Sequence, residues 1–203
     1  MTTANSPHPP APRPNWVSPV PLADLEETQK LAARLAAQLA AGDLLVLTGG
    51  LGAGKTTFTQ ALAEALGVKG QVSSPTFVLS RIHPAAESGP DLVHVDAYRT
   101  DVEGLESLDL PATQAGAVTV VEWGRGLVES ELAGPGGSWL DLELNRIEAT
   151  EAGTHTTGAQ APLRAETANE IITDFSESEE DLLGAPRTAV LRGYGPRWPR
   201  SLL

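Results

Sequence analysis

Two stretches of the chain carry apolar residues at helical spacing, each with start and stop signals. The first begins at Asp24-x-x-Glu27, which has the form of a capping box, and ends at Gly42. Its periodic positions are Leu25, Thr28, Leu31, Ala32, Leu35 and Leu39. A second helix is predicted over residues 56–66, closed by Gly67, and a shorter one over residues 101–108.

Short apolar runs between the helical stretches predict strands. These runs cover residues 43–48, 77–82, 92–95, 117–121 and 139–147. Strands that alternate with helices indicate an α/β sheet with substantial parallel character. Residues 161–175 fit a strand or a helix equally well, and the choice stays open.

The two ends differ from the middle of the chain in composition. Residues 1–22 contain seven of the 16 prolines, and Arg13 is their single charged side chain. We expect a disordered arm there, because such a segment buries too little apolar surface to offset its ordering entropy. Residues 176–203 combine an acidic run with a tail rich in Arg, Pro and Gly. We expect this tail to be flexible, which leaves residues 23–175 as the folded domain.

Charge and residue content exclude several classes of function. The 203 residues include 14 Lys or Arg against 26 Asp or Glu, for a net charge of −12, and no Cys. Absent cysteines exclude disulfides, thiol catalysis and thiolate metal sites. The acidic balance argues against DNA binding and non-specific nucleic-acid binding. No apolar run approaches ~18 residues and no signal peptide precedes the domain, so we expect a cytoplasmic protein without a membrane partner.

The strongest chemical signal is a glycine-rich loop between a predicted strand and a predicted helix. Residues 49–56 read GGLGAGKT and match G-x-x-x-x-G-K-[ST], the phosphate-binding P-loop. Its glycines allow backbone N–H groups to surround phosphate oxygens, and the helix N-terminus favours negative charge. Lys55 can reach the β- and γ-phosphates, and the Thr56 hydroxyl can bind Mg²⁺. A dinucleotide fingerprint is excluded because Lys55 stands where a third glycine is needed.

This loop predicts a nucleoside-triphosphate site and refines the expected fold. We expect a P-loop NTPase-like three-layer sandwich, in which a mostly parallel central sheet is flanked by helices. Such a site needs a further acid at a neighbouring strand end. Asp96 and Glu122 each end an apolar run. One could hold the metal while the other orients water, and the alternative is that both face solvent.

Two other segments have weaker signals. Ser73-Ser74-Pro75-Thr76 lies between the P-loop helix and a strand, where Thr76 could sense a γ-phosphate or simply belong to a proline turn. Trp123 could cover a nucleotide, although a core position is favoured from the residues alone. The four histidines show no metal-ligand spacing.

Four motifs in order resemble the bacterial TsaE family. They are GGLGAGKTTFTQALAEALG, VSSPTF, HVDAYR and VEWGRG, and the resemblance covers about residues 24–164. It implies a P-loop ATPase of tRNA threonylcarbamoyladenosine synthesis, with ATP and Mg²⁺ bound. The implied partners are TsaD, which carries the transfer chemistry, and TsaB. The tRNA is modified at the adenosine beside the anticodon, and this chain would contact it only indirectly, through that complex.

The resemblance also implies a role for particular residues. Thr56 and Glu122 would hold Mg²⁺, Asp96 would be the acid near Mg·ATP, and Thr76 would belong to the switch segment. The implied ATP contacts are Thr28, Gly50, Leu51, Gly52, Ala53, Gly54, Lys55, Thr56, Thr57, Trp123 and Arg164. Gly50 stands where the family commonly has an acid, so a role for that acid does not transfer to this chain.

Two other functions stay open. In a small-molecule kinase, Asp96 could position an acceptor hydroxyl while Arg99 and Arg125 stabilise the transferring phosphate, although no arginine-rich lid segment is evident. A nucleotide-dependent scaffold would bind ATP and hardly hydrolyse it. ADP formation without an acceptor, measured with and without candidate partners, separates these functions.

Overall fold

A computed structural model describes residues 12–76, 78–133, 137–147 and 186–203. The strands are β1 (Trp16–Leu22), β2 (Leu44–Thr48), β3 (Ser80–His83), β4 (Asp91–Asp96), β5 (Ala117–Glu122), β6 (Trp139–Arg146) and β7 (Arg187–Tyr194). The helices are α1 (Leu25–Ala36), α2 (Lys55–Leu66), α3 (Val102–Glu106), α4 (Leu110–Gln114) and α5 (Glu129–Leu132). Arg164 and the ambiguous segment 161–175 lie outside the described residues.

Within these ranges the strands form one seven-stranded mixed sheet in the order β1-β7-β6-β2-β5-β4-β3. The central strands β6, β2, β5 and β4 are parallel to one another. The outer pairs β1–β7, β7–β6 and β3–β4 are antiparallel. The predicted α/β sheet with substantial parallel character is therefore confirmed at its centre, while the antiparallel outer pairs make the whole sheet mixed rather than mostly parallel.

Helices cover both faces of the sheet because successive side chains of the buried strands point to opposite sides. On one face, Leu45 and Leu47 of β2 pack in a cluster with Leu35 of α1 and Phe58 of α2. On the other face, Val46 of β2 belongs to a second cluster built with α3, α4 and α5. Apolar side chains thus cover both faces of the central strands, and the C-terminal ends of β2, β4 and β5 meet at one edge of the sheet.

The N-terminal arm was predicted to be disordered, and this is wrong for its second half. Trp16, Val20 and Leu22 alternate along β1, and Leu22 is buried in the core. Pro19 and Pro21 occupy exposed positions of this strand. An edge strand accepts proline because one of its sides needs no N–H donor. High proline content therefore did not prevent a strand, and residues 1–11 lie outside the described part.

The prediction of a flexible C-terminal tail is also wrong over residues 187–203. β7 lies between β1 and β6, and Leu191 and Trp198 are buried in the main core cluster. Arg197 fixes the segment after β7, since its Nε donates to Asp43 Oδ1 at 3.1 Å and its Nη2 to Oδ2 at 3.1 Å. The folded unit therefore extends beyond both ends of the predicted domain, residues 23–175.

One predicted strand begins later than expected. Residues 77–82 were predicted to be a strand, but β3 covers Ser80–His83. Pro75 causes the shift, because its carbonyl accepts hydrogen bonds from the N–H groups of Val78 and Leu79 and closes a turn. Leu79 leaves this turn with a φ of 63°. Residues 74–76 and 78–79 therefore lie outside β3, beside the end of β4, and Phe77 is outside the described residues.

Candidate functional site

The glycine-rich loop connects β2 to α2 and depends on backbone shapes that favour glycine. Gly49 has a φ of 147°, and a Cβ there would lie 2.3 Å from the carbonyl oxygen of Leu144. Gly54 has a φ of 93° and is the N-cap of α2. Other residues are costly at such positions, so these glycines determine the path of the loop. The loop therefore presents the N-terminus of a 12-residue helix at the sheet edge.

Lys55 is the first residue of α2 and folds back over the loop. Its Nζ donates to the carbonyl oxygens of Gly49 at 3.1 Å and Gly50 at 2.9 Å. The same nitrogen lies 3.8 Å from the centroid of the Trp123 ring. Burial lowers the pKa of Lys55, while the charges of Glu122 and Asp96 oppose that shift. The loop thus holds a buried cation between its own carbonyls and two acids.

Asp96 and Glu122 lie side by side at the ends of β4 and β5. They are direct neighbours in the parallel register, and only 5% and 3% of their surfaces are exposed. Their proposed roles stay predictions, but the alternative that both acids face solvent is wrong. Buried carboxylates need hydrogen-bond donors, and each of these two has them.

Glu122 joins α2 to the sheet. Its Oε1 and Oε2 accept from Thr56 Oγ1 at 3.0 and 3.3 Å, and Oε1 lies 2.8 Å from His94 Nε2. The predicted metal pair Thr56 and Glu122 is therefore brought together. Both side chains offer oxygen atoms that can bind a metal, and they meet beside the N-terminus of α2 and the glycine-rich loop.

Asp96 is tied to the segment that was predicted to be a switch. Thr76 Oγ1 donates to Asp96 Oδ2 at 2.5 Å, and Ser74 Oγ lies 2.7 Å from Thr76 Oγ1. The other oxygen of Asp96 accepts from the backbone N–H of Tyr98 at 3.0 Å. Thr76 thus reaches the end of β4 through its side chain, which a proline turn alone does not require.

Trp123 directly follows Glu122 and lies on the inner wall of the site. Its φ is 63°, an uncommon value for a large side chain. The ring packs 4.9 Å from that of Tyr98, between centroids, and also contacts the apolar cluster beneath α3–α5. The indole thus packs against the core, and Lys55 lies over its ring, while a contact of Trp123 with a nucleotide stays a prediction.

Other predicted site residues are less closely connected. Thr28 is buried in α1, and its hydroxyl donates to the carbonyl of Asp24 at 3.2 Å. Leu51 at the loop tip is 65% exposed. A Cβ at Gly50 would meet nothing within 4 Å, so the glycine in place of the family's acid is not a steric requirement. Gly52 and Ala53 belong to the loop, and Thr57 to the first turn of α2.

Two residues that the sequence analysis did not select lie at the site. His94 contacts Glu122, and Arg187 of β7 lies against the loop, since a Cβ at Gly54 would be 3.0 Å from Arg187 Nε. Both side chains are buried. The short apolar run of residues 189–191 was a signal for a strand, and β7 carries Arg187 into the fold.

Arg125 follows Trp123 but its guanidinium is held by acids of β6. Its Nε and Nη2 bond both oxygens of Asp141 at 2.8 and 2.5 Å, and Nη2 also reaches Glu143 at 2.9 Å. The hydrogen bond to Asp141 raises the pKa of Arg125. Arg192 shares Asp141 at 3.0 Å. Arg125 is thus part of an ion-pair cluster between β6, β7 and the loop after β5.

The described part of the chain lacks two features, a ready-made metal cluster and a membrane-spanning helix. In those residues no group of three or more His, Cys, Asp or Glu side chains could hold a metal ion by itself. Among the helices of the same ranges, none is long and apolar enough to cross a membrane.

The fold and site define a mixed α/β protein with a glycine-rich loop and paired acids at one sheet edge, and comparison with known proteins gives the family. A family model described as "Threonylcarbamoyl adenosine biosynthesis protein TsaE" matches residues 22–154. The chain belongs to the TsaE family. The recognition made from its motifs is thereby confirmed.

Individual relatives agree with this membership. The chain is 55% identical over 103 residues to the tRNA threonylcarbamoyladenosine biosynthesis protein TsaE of Streptomyces coelicolor, which covers 50% of this chain and 70% of that protein. It is 48% identical over 135 residues to the protein of that name in Mycobacterium tuberculosis, and the match covers 63% of this chain and 78% of that protein. The crystal structure of Bacillus subtilis YdiB matches with a TM-score of 0.54 at 25% identity, covering 89% of this chain and 87% of that one.

Proposed function

We propose that this chain binds and hydrolyses Mg·ATP in support of tRNA threonylcarbamoyladenosine synthesis, together with TsaD and TsaB proteins. The observation that carries the proposal is the contact between Thr56 and Glu122 at the N-terminus of α2, directly after the glycine-rich loop. The fold is proposed to be a P-loop NTPase-like three-layer sandwich. The pathway follows from membership of the TsaE family, because the family and the relatives of this chain are named for tRNA threonylcarbamoyladenosine biosynthesis.

Phosphate binding is proposed to involve an exchange of hydrogen bonds at Lys55. Its ammonium group now bonds the carbonyls of Gly49 and Gly50. A triphosphate in the loop would offer charged oxygens instead, and charge-assisted hydrogen bonds are roughly twice as strong as neutral ones. The backbone N–H groups at the start of α2 have no helical partner and would bind the same anion. Arg187, beside Gly54, adds positive charge on that side of the loop.

The residues at the α2 terminus fit a magnesium ion by the chemistry of their donors. Mg²⁺ prefers oxygen ligands and usually takes only one or two from the protein, with phosphates and waters completing its shell. The Thr56 hydroxyl and the Glu122 carboxylate provide such a pair. When bound, the ion neutralises charge that develops on the phosphate oxygens. A cage of three or more acidic or histidine ligands is not required for this role.

Asp96 is proposed to orient the attacking water. It is buried next to Glu122, and it holds Thr76 through a short hydrogen bond. A carboxylate so placed can accept a hydrogen bond from water and align it with a phosphorus atom. Movement of Thr76 towards a γ-phosphate would release that carboxylate oxygen, so nucleotide binding and water positioning would be linked through one side chain.

The contacts of Arg125 favour an ATPase over the kinase alternative. That arginine was one of two candidates to stabilise a transferring phosphate, and it is instead bonded to Asp141 and Glu143. P-loop enzymes that lack an arginine at the γ-phosphate hydrolyse slowly until another protein completes the site, which can be worth ~10³–10⁵ in rate. We therefore propose slow hydrolysis by the chain alone and stimulation by TsaD–TsaB.

The acidic surface supports contact with proteins rather than directly with tRNA. With 26 acidic residues against 14 basic ones, the chain repels a polyanion. The tRNA is therefore proposed to be bound by the complex, in the cytoplasm, where tRNA is modified. Fluorescence anisotropy with tRNA alone should show weak binding.

An ADP-release assay without any acceptor tests the proposed function. We expect slow ADP formation by the chain alone and a marked increase after addition of a TsaD–TsaB pair from the same source. Release that appears only with a small hydroxylated metabolite would support a kinase. ATP binding without hydrolysis under any combination would support a scaffold.

A further inference from the structure

His94 lies beneath the candidate metal pair, at a position that no predicted role uses. It is in β4, two residues before Asp96, and its side chain is completely buried. Its Nε2 lies 2.8 Å from Oε1 of Glu122. Thr56 contacts the same carboxylate from α2, so Glu122 is held by one donor from the helix and one from the sheet.

The direction of the His94 hydrogen bond follows from the partner. A carboxylate can only accept, so the hydrogen lies on Nε2 of His94 and is donated to Glu122. The other ring nitrogen, Nδ1, is buried and has no hydrogen-bond partner in the described residues. A buried polar atom without a partner lowers stability, and an apolar side chain would avoid that cost. Packing alone therefore does not account for a histidine here.

The contact also differs in kind from the one made by Thr56. Thr56 Oγ1 is itself an expected metal ligand, so its hydrogen bond to Glu122 has to adjust when a cation is held there. His94 stands outside that pair of ligands and approaches from the sheet. A second residue that orients a ligand in this way restricts its rotamers and raises metal affinity.

We propose that His94 is a positioning residue that orients the Glu122 carboxylate for magnesium-dependent nucleotide binding. This inference rests on the proposed function, since it assigns a task within the same site. It predicts that a side chain able to donate from the Nε2 position preserves the role. A side chain of similar polarity that is too short to reach Glu122 should not preserve the role.

Matched variants separate this role from simple packing. In His94→Gln the amide nitrogen can reach the place of Nε2, whereas in His94→Asn it falls short of Glu122. Both are neutral amides, so they differ mainly in reach. His83→Leu is the control, because His83 is a second buried histidine of the same sheet and, within the described residues, makes no hydrogen bond to Glu122. Thermal melts establish that each variant folds.

The measurement is calorimetric ADP affinity of the full chain, once with Mg²⁺ and once with EDTA. Wild type should bind ADP more tightly with Mg²⁺. We expect His94→Asn to lose about tenfold to a hundredfold of the affinity in Mg²⁺, the usual range for a lost orienting residue, and to match wild type in EDTA. His94→Gln should recover most of the loss, and His83→Leu should behave as wild type.

Several results would overturn the inference. These are an unchanged magnesium effect in His94→Asn, an equal loss in both buffers, or failure of His94→Gln to restore what His94→Asn loses. If His94→Asn does not melt cooperatively, His94→Leu replaces it, because a leucine fills the space without a donor. In a Glu122→Gln background His94→Leu should cause little further loss of magnesium-dependent affinity, and an additive loss would contradict the proposal. Wild type that binds no ADP in either buffer would contradict the proposed function itself.

Discussion

Thr56 Oγ1 lies 3.0 Å from Oε1 of Glu122, although 66 positions separate the two residues in the chain. The contact joins the first turn of α2 to the end of β5 at the edge where the glycine-rich loop emerges. A hydroxyl and a carboxylate at that distance form a pair of oxygen donors of the kind that magnesium accepts.

Lys55→Ala should reduce ATP affinity below detection without unfolding the chain. The substitution removes the one ammonium group that contacts the loop, and its present hydrogen bonds are to carbonyls that can face water instead. Isothermal titration calorimetry and a thermal melt measure the two effects. Lys30→Ala is the matched control, because Lys30 lies on the exposed face of α1 and pairs with Glu26 and Glu27. Wild-type ATP affinity in Lys55→Ala would contradict the P-loop assignment.

Asp96→Ala and Glu122→Ala should lower hydrolysis much more than they lower the melting temperature. Loss of a group that orients water or holds the metal typically costs about 10²-fold or more in rate. Because both acids are buried, Asp96→Asn and Glu122→Gln serve as variants of equal size that remove only the charge. Steady-state ADP formation, stimulated by partners, is the readout. An acid whose replacement leaves hydrolysis at the wild-type rate has no part in the chemistry.

Deleting residues 187–203 should destabilise the domain strongly. The deletion removes β7 from between β1 and β6 and takes Leu191 and Trp198 out of the core. Burial of one large apolar side chain is worth about 2 kcal/mol, so two such losses are a large part of a typical domain's stability. Deletion of residues 1–11 is the control, since it removes no described contact. A tail truncation that melts at the wild-type temperature would show that β7 contributes little.

Stability should fall as the pH decreases through the range where His83 titrates. Burial lowers the pKa of His83 from its ordinary value of 6.5, and the neighbouring His94 and Arg81 act in the same direction. The unfolded chain therefore binds a proton that the folded chain resists, and the free energy of unfolding decreases as pH falls from 6.5 towards the lower folded pKa. Urea denaturation of wild type and His83→Leu at a series of pH values measures this.

In His83→Leu the free energy of unfolding should depend less on pH below 6.5 than in wild type. Identical slopes of the free energy of unfolding against pH in the two proteins would exclude His83 as the cause.

Local sequence signals predicted the centre of the fold well. The apolar run at β2, the glycines of the loop and the helical period of α2 are adjacent in sequence, so their structure depends little on distant contacts. Asp96 and Glu122 were found because acids that end parallel strands meet at one edge. Arg164 remains a prediction outside the described residues.

The ends of the fold could not be predicted in the same way. The alternation of Trp16, Val20 and Leu22 competes with the high proline content of the arm, and the deciding fact is the distant partner β7. His94 and Arg187 become site residues only through tertiary contacts, with Glu122 and with Gly54. Neither contact has a spacing in the sequence that predicts it.

Multiple-turnover tRNA modification by a reconstituted system tests the central claim most directly. The assay contains TsaD, TsaB, tRNA, ATP and the threonylcarbamoyl donor, and it follows ADP and modified tRNA with this chain as wild type, as Lys55→Ala, or omitted. We predict repeated turnover with wild type, and at most a single round when the chain is omitted or carries Lys55→Ala. Equal turnover with Lys55→Ala, or without the chain, would contradict the proposal that its ATP hydrolysis supports this modification.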